Sequence, residues 1–174
     1  MGGVVLREDA AAKDDRHNWP AAHYRPTEMD FPITGFIAMT NTPSIARINP
    51  PELGTPPGYS QIVEVSAKRI IFIAGQTALD RDGNVAGQGD FAAQAAQVFD
   101  NLTVALGAVD CTPANLVKLT VFLTDMGNLA AYRTARNRFF ANVTPPAAPA
   151  VTLVEVSKLY GPDFLIEIEP IAAA

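Results

Sequence analysis

Alternation of apolar and polar residues predicts two short β-strands between residues 60 and 74. Residues 60–65 alternate as in a half-exposed strand, and residues 69–74 form an apolar, β-rich run that ends at Gly75. We expect these two segments to pair as a hairpin. Residues 80–83, Asp-Arg-Asp-Gly, have the composition of a turn and lead into a loop that contains further glycines.

Helical spacing of apolar residues predicts two helices. Asp90 is a suitable N-cap for the first helix. Its apolar positions are Phe91, Ala95, Val98, Phe99, Leu102, Ala105, Leu106 and Val109. Asn128 is expected to cap the second helix, whose larger apolar residues are Leu129, Tyr132, Phe139 and Phe140. Because the first helix is apolar along one face, that face must be buried against another element.

Three further strands complete the predicted elements. Apolar and polar residues alternate at 117–124, and β-rich segments at 150–156 and 164–171 are joined by a Tyr-Gly-Pro-Asp turn. The resulting order, β-β-α-β-α-β-β, has no continuous βαβ repeat. It predicts an α+β fold in which two helices cover one face of a sheet.

The second face of that sheet is predicted to need a partner. The residues expected there form a patch too apolar to be left in water: Thr120, Phe122, Thr152, Val154 and Val156. We therefore expect a homo-oligomer in which sheets pack on sheets and ligand pockets lie at subunit boundaries.

Residues 1–38 differ in pattern from the rest of the chain. They mix charges, prolines and isolated aromatic residues without a sustained period of two or 3.6. We interpret 1–38 as an N-terminal extension or tail and 39–174 as the folded domain. Met39 has the setting of a natural translation start, while aromatic residues such as Trp19 and Phe31 are anchors by which the tail could dock.

Composition limits the function classes. A chain of 174 residues that is 48% hydrophobic and 18% charged fits one globular domain with a tail, and no apolar run suits a membrane span. A net charge of −5 with scattered cations disfavours nucleic acid. The single cysteine, Cys111, excludes an internal disulfide, and with both histidines near the N-terminus a Cys/His metal site is not expected. We expect a cytoplasmic protein without a metal or a membrane partner.

Four segments together resemble the RidA (YjgF) family of imine and enamine deaminases. They are Gly-Tyr-Ser-Gln at 58–61, Ala-Gly-Gln at 74–76, Val-Phe-Leu-Thr-Asp-Met at 121–126 and Ile-Glu-Ile-Glu-Pro-Ile-Ala at 166–172. Each is short, but their order and spacing agree over roughly the last two thirds of the chain. The resemblance implies a chorismate-mutase-like fold and a homotrimer with clefts between subunits.

The resemblance also implies a reaction and its residues. Typical members hydrolyse 2-imino acids or their enamine tautomers to 2-keto acids and ammonia without a cofactor. A guanidinium binds the substrate carboxylate, and a carboxylate positions the attacking water. Glu167 falls where that catalytic carboxylate is expected, and Tyr59 matches the pocket tyrosine. Gly75 matches the strand-end glycine, and Gln76 and Phe122 belong to the same matching segments and join the candidate substrate-binding residues.

One departure from the family pattern bears on specificity. The family's Pro-Ala-Arg-Ser/Thr motif stands here as Pro-Ala-Val-Thr at 149–152, so Val151 replaces the carboxylate-binding arginine and Thr152 supplies the hydroxyl. Losing a charged donor typically costs about 1.5–3 kcal/mol, which favours a less acidic or more apolar ligand. Arg133 stands where the family commonly has asparagine, and it either restores the missing charge or faces solvent.

Three hypotheses follow from these residues. The first is a RidA-like hydrolase acting on imines, enamines or similarly polarised small molecules, with Glu167 and Val151 facing one cavity between subunits. The alternative is a non-catalytic member that binds a small molecule or a protein, in which Glu167 is a solvated strand carboxylate and Tyr59 an interface aromatic. A weaker third, ribonuclease or translation inhibition, is associated with some relatives but is disfavoured by the acidic charge.

Overall fold

The computed structural model describes residues 44–144 and 146–174, so the predicted tail at 1–38 lies outside the described residues. The strands are β1 (Ser44–Ile48), β2 (Ile62–Ser66), β3 (Ile70–Phe72), β4 (Leu116–Leu123), β5 (Ala150–Glu155) and β6 (Ile166–Ala173). The helices are α1 (Phe91–Gly107) and α2 (Leu129–Phe140). Short 3-10 turns lie at Pro51–Leu53, Pro113–Asn115 and Met126–Asn128.

The main sheet has four strands in the order β3-β6-β4-β5. β4 and β5 are parallel and are connected through α2, whereas β6 runs antiparallel to both β3 and β4. β5 is therefore an edge strand. β1 and β2 form a separate antiparallel ribbon.

The predicted hairpin between residues 60–65 and 69–74 is wrong. β2 pairs with β1, a strand that the sequence pattern did not predict, and β3 pairs with β6. The amides of Lys68 and Arg69 both donate to the carbonyl of Ala174, at 3.1 and 2.8 Å, which directs the chain into the main sheet. Backbone pairing with the C-terminus thus takes the place of pairing with the preceding strand, a choice that local alternation does not encode.

The two helices begin where the sequence predicted, but only one is capped as expected. The Asp90 carboxylate accepts hydrogen bonds from the amides of Ala92 and Ala93, which confirms it as the N-cap of α1. The Asn128 side chain makes no capping hydrogen bond at the start of α2. Asp125 instead caps the turn before it, accepting from the Gly127 amide at 2.7 Å. A capped 3-10 turn thus leads directly into α2.

Both helices cover the same face of the main sheet, which confirms the predicted α+β layer. The core between them consists of fully buried aliphatic residues, among them Val98, Leu102, Leu119, Val121, Leu123, Ile166 and Ile168. The core residues of β4 and β6 alternate along those strands, so every second residue over most of each strand points into the core. The helix-covered face is therefore buried in the core, and the alternate residues of β4 and β6 lie on the opposite face of the sheet.

The opposite side of the main sheet, here called the open face, has no helix packed on it among the described residues. Phe72 is 78% exposed and Ile70 50% exposed there, and Val154 is also an exposed large hydrophobic residue. Glu167 and its cross-strand partner Phe122 share this face. The apolar second face predicted from the sequence is thus present. No helix of the described residues is long and apolar enough to cross a membrane.

Candidate functional site

The predicted site residues form two groups on opposite faces of the main sheet. Glu167 lies on the open face, because its partner Phe122 alternates with the buried residues of β4. Val151 pairs with the buried Leu119 and packs against the core on the helix-covered face. Within one chain, therefore, Glu167 and Val151 do not face the same cavity. The two-residue period of strands fixes this separation.

The first group is centred on the Glu167 carboxylate. A Cβ atom at Gly75 would lie 2.9 Å from Cδ of Glu167, so only a glycine leaves room for the carboxylate there. The next residue, Gln76, pairs with Ile168 through two backbone hydrogen bonds of 2.8 and 3.0 Å. This pairing holds the Gly75 backbone directly against the half-buried Glu167 side chain. The prediction that Gly75 serves close approach at a strand end agrees with this contact.

Thr152 also belongs to the open face, opposite to Val151 beside it. Its hydroxyl accepts a hydrogen bond from the ammonium group of Lys118, and burial lowers the pKa of that lysine. Thr152 pairs with Thr120 on β4. The predicted Thr152 hydroxyl is thus engaged by Lys118, and it does not line the cavity that contains Val151.

The second group lines a cavity of about 280 Å³ between α2 and the edge strand β5, here called the α2 pocket. Its lining residues are Pro57, Tyr59, Leu129, Tyr132, Arg133, Arg136, Val151 and Leu153. Three residues predicted from the sequence, Tyr59, Arg133 and Val151, therefore meet in one place. Arg133 is exposed, but it borders this pocket rather than bulk solvent alone.

Tyr59 is brought to the α2 pocket by its neighbour Ser60. The Ser60 hydroxyl donates to the carbonyl of Ala148 at 2.6 Å, and the Ser60 amide donates to the carbonyl of Pro149 at 3.1 Å. Both acceptors immediately precede β5. Because Ser60 is buried, these bonds anchor the loop, and Tyr59 lies beside Val151 as a result.

Arg136 is a charged residue of the α2 pocket that the sequence did not single out. It is only 7% exposed, and its guanidinium donates to the Pro57 carbonyl at 3.2 Å and to Oδ1 of Asn137 at 3.0 Å. A Cβ atom at Gly58 would lie 3.0 Å from its Cζ atom. Its position three residues after Arg133 places both on one face of a helix, and this spacing was the available signal.

Tyr132 adds a buried hydroxyl to the same surroundings. The residue is 1% exposed, and its hydroxyl has no hydrogen-bond partner within residues 44–144 and 146–174. Burial raises the pKa of Tyr132 to about 12, and the positive charge of Arg136 partly opposes that rise. The hydroxyl therefore stays protonated at neutral pH and can donate a hydrogen bond.

A larger cavity of about 480 Å³ lies between the outer surfaces of α1 and α2. Its walls are mainly alanines: Ala92, Ala96, Ala131 and Ala135. None of the predicted site residues lines it, and Asp100 and Arg138 are its charged members. The described residues contain no group of three or more His, Cys, Asp or Glu side chains that could hold a metal ion. The α2 pocket and the Glu167 site therefore carry the candidate chemistry.

Comparison with known proteins identifies similar sequences and folds. The family model described as Endoribonuclease L-PSP matches residues 52–174. Protein DfrA of Myxococcus xanthus is 39% identical over 101 residues, which cover 58% of this chain and 74% of DfrA. A RutC family protein of Synechocystis is 39% identical over 115 residues, covering 66% of this chain and 84% of that protein.

Two solved structures show the same fold. The Rid family protein YyfB of Yersinia pestis, described as of unknown function, is 32% identical with a TM-score of 0.68, covering 75% of this chain and 98% of its own. The YjgF gene product of E. coli is 34% identical with a TM-score of 0.55, covering 66% and 87%. The similarity thus spans most of the described domain and nearly the whole of these proteins.

Proposed function

Since the chain belongs to the endoribonuclease L-PSP family, to which the RutC, Rid and YjgF proteins are assigned, we propose that it hydrolyses small imines or enamines. The observation that carries this proposal is the Glu167 carboxylate, held against the backbone of Gly75 on the open face. A carboxylate in a fixed position can orient a water molecule and accept its proton.

The proposed reaction needs few protein groups. Water adds to the imine carbon while Glu167 accepts one of its protons, and return of that proton to the nitrogen gives a neutral carbinolamine. Glu167 then takes the hydroxyl proton of the carbinolamine and delivers it to the amino nitrogen, so ammonia leaves as the carbon–nitrogen bond breaks and the carbonyl forms. Imine and water are thereby converted to ketone or aldehyde and ammonia, and one carboxylate acts first as base and then as acid.

We assign the complete site to a cleft between subunits of a homotrimer. Glu167 and the α2 pocket lie on opposite faces of one chain, but the pocket is lined by the edge strand β5, which a neighbouring subunit can approach. The exposed Phe72 and Ile70 on the open face favour burial by such a neighbour. Glu167 of one subunit would then act on a ligand held in the α2 pocket of the next.

The valine at position 151 makes the specificity atypical. It contributes an apolar wall where the family has a carboxylate-binding arginine, and Leu153 extends that wall. An uncharged or branched part of the ligand is favoured at this place. Because its side chain is only a methyl group, 2-iminopropionate is therefore expected to be a poor substrate.

A second function is favoured by one feature of the structure. The α2 pocket is formed by a single chain and does not include Glu167, so it can bind a small molecule without any reaction. A non-catalytic ligand-binding role would then use this pocket alone. Ribonuclease activity is not proposed, because residues 44–174 contain no histidine and the chain carries a net charge of −5.

The test couples an amino-acid oxidase, which produces imines, to capture of the remaining imine by semicarbazide. We expect the protein to accelerate imine loss and so to reduce semicarbazone formation, most strongly with branched amino acids. Glu167→Gln should abolish the effect. Glu169→Gln is the matched control, because Glu169 is an exposed carboxylate on the same face of β6. Acceleration with none of several amino acids, or full activity in Glu167→Gln, would refute the hydrolase and leave ligand binding.

A further inference from the structure

We propose that Arg136, supported by Arg133, is the anion-binding group of this protein, so that the positive charge absent from β5 is supplied by α2. This inference rests on the proposed function and narrows it to one substrate class: small carboxylates with a branched apolar side chain. The role is new to position 136, which the sequence comparison with the family did not single out.

The first argument is the state of the Arg136 guanidinium. It is almost fully buried, yet no carboxylate of the described residues lies within 4 Å of it or of Arg133. Its described hydrogen bonds, made through Nε and Nη2, go to neutral oxygens of Pro57 and Asn137. Nη1 makes none within residues 44–144 and 146–174. A guanidinium has five N–H donors, so donor capacity remains that a bound carboxylate could take up.

The second argument is the Tyr132 hydroxyl. It is buried beside the same pocket, and it has no acceptor among the described side chains and backbone groups. A buried hydroxyl without a partner costs about 1–3 kcal/mol of stability. The Tyr132 ring centroid lies 6.0 Å from Cζ of Arg136, so an anion held by that guanidinium would lie near a second side chain with an unused donor.

The third argument is the apolar lining, which defines the rest of the ligand. Leu129, Val151 and Leu153 face the pocket together with Pro57, and no acidic residue lines it. A volume of about 280 Å³ suits a molecule of few carbon atoms, at the lower end of the range for small-molecule sites. A ligand that fits this pocket has a carboxylate facing the arginines of α2 and a branched aliphatic group facing Val151 and Leu153 of β5.

Two arginines on one helix face also explain why a valine is tolerated at 151. An arginine there would add a third guanidinium to a pocket already lined by Arg133 and Arg136. Like charges held in a small cavity repel each other. The positive charge of the pocket is therefore supplied either by an arginine at position 151 on β5 or by arginines on α2. In this chain it is supplied by α2.

The experiment is calorimetric titration of the full chain carrying Glu167→Gln, which removes turnover, with 2-oxoisovalerate and with its neutral counterpart 3-methyl-2-butanone. We expect the acid to bind and the ketone to bind at least about tenfold more weakly. Arg136→Met should weaken binding of the acid by about tenfold to a hundredfold, and Arg136→Lys by less, since it keeps the charge but loses the planar fork. Arg138→Met, on the same helix but facing the other cavity, should leave binding unchanged.

Other variants keep the proposal falsifiable if Arg136→Met disturbs the loop at 57–58. Arg133→Met removes an exposed charge without touching that loop and is expected to weaken binding several-fold. Equal binding of acid and ketone, or equal effects of the Arg136 variants and Arg138→Met, would overturn the proposal. Binding that depends on Arg136 in a protein without imine turnover would contradict only the hydrolase. If Arg136→Met left imine turnover unchanged, only this inference would be contradicted.

Discussion

Two glycines each leave room for one charged side chain of the candidate site, and this space determines where the two side chains lie. Gly75 accommodates the Glu167 carboxylate, and Gly58 accommodates the Arg136 guanidinium. Gly58 also has a φ of +86°, a conformation that favours glycine, whereas Gly75 does not have a positive φ. At Gly75, the glycine therefore acts through space: a larger residue would have to move the Glu167 carboxylate.

The first prediction concerns Gly75→Ala. The added methyl group would displace the Glu167 carboxylate, so we expect kcat for imine hydrolysis to fall by about a hundredfold, the usual effect of misplacing a catalytic group by about 1 Å. Gly107→Ala is the control: Gly107 ends α1 with nothing near its added Cβ, and the change should leave kcat unaltered. Unchanged kcat in Gly75→Ala would show that the position of the carboxylate does not matter.

The second prediction concerns Tyr132 and pH. Because burial raises the pKa of Tyr132 in the folded chain to about 12, from an ordinary value of 10.0, the unfolded chain loses this proton first as pH rises. The free energy of unfolding should be insensitive to this group below pH 10 and should then fall by about 2–3 kcal/mol towards pH 12. Tyr132→Phe should remove that fall and, by deleting an unpartnered hydroxyl, raise stability by about 1 kcal/mol at pH 7. Urea unfolding at pH 7, 9 and 11 measures both effects. If the free energy of unfolding had the same pH dependence in the parent protein and in Tyr132→Phe, this prediction would be refuted.

Residue by residue, the sequence predicted part of the site. Tyr59, Arg133 and Val151 were singled out and do meet in the α2 pocket. Thr152 was grouped with Val151, yet neighbouring residues of a strand point to opposite faces. Arg136 was not predicted as a site residue, because a buried arginine on a helix has the same sequence pattern as an exposed one. Only the loop at 57–58 that covers it distinguishes the two. Tyr132 was predicted only as an apolar residue of the second helix.

At the scale of elements, local signals placed the helices and most strands, and long-range pairing was not predictable. The Asp90 cap and the alternation along β4 depend on residues close in sequence. The partners of β2 and β3 depend on residues far from them along the chain. A pattern of alternation says that a strand has two faces, but not which strand lies beside it.

The third prediction tests the cap of α1. Asp90→Ala removes the acceptor for two amides, so we expect the free energy of unfolding to fall by about 1 kcal/mol. Asp100→Ala, in the middle of the same helix and without a capping role, should change stability by less than about 0.5 kcal/mol. Chemical denaturation with a shared m-value provides the comparison. Equal losses in the two variants would mean that the carboxylate acts through charge and not as a cap.

At the scale of the whole molecule, the fold class was predicted from element order and confirmed, together with membership of the family. The open face explains why a single chain is an incomplete unit for the proposed function. Its exposed Phe72 and Ile70 lie on the same side of the sheet as Glu167. Association through this face would bring a neighbour close to the carboxylate proposed to be catalytic.

The fourth prediction is that Phe72→Asp prevents association. A charge in the centre of the proposed apolar interface is costly, so if the protein forms the proposed trimer, light scattering should show smaller species for this variant at micromolar concentration. Val104→Asp is the control, since Val104 is 73% exposed on the outer side of α1. A mass that is the same for both variants and the parent protein would show that the open face is not the interface.

The most direct test of the central claim, that Glu167 of one subunit serves the α2 pocket of the next, is complementation between inactive variants. Glu167→Gln is expected to be inactive alone, and Arg136→Met nearly so when the substrate concentration lies far below its raised KM. When unfolded together in equal amounts and refolded, they should regain about a quarter of the parent activity, because half of the subunits supply Glu167 and half of their neighbours supply Arg136. If each active site were built from one chain, the mixture would stay as inactive as its components.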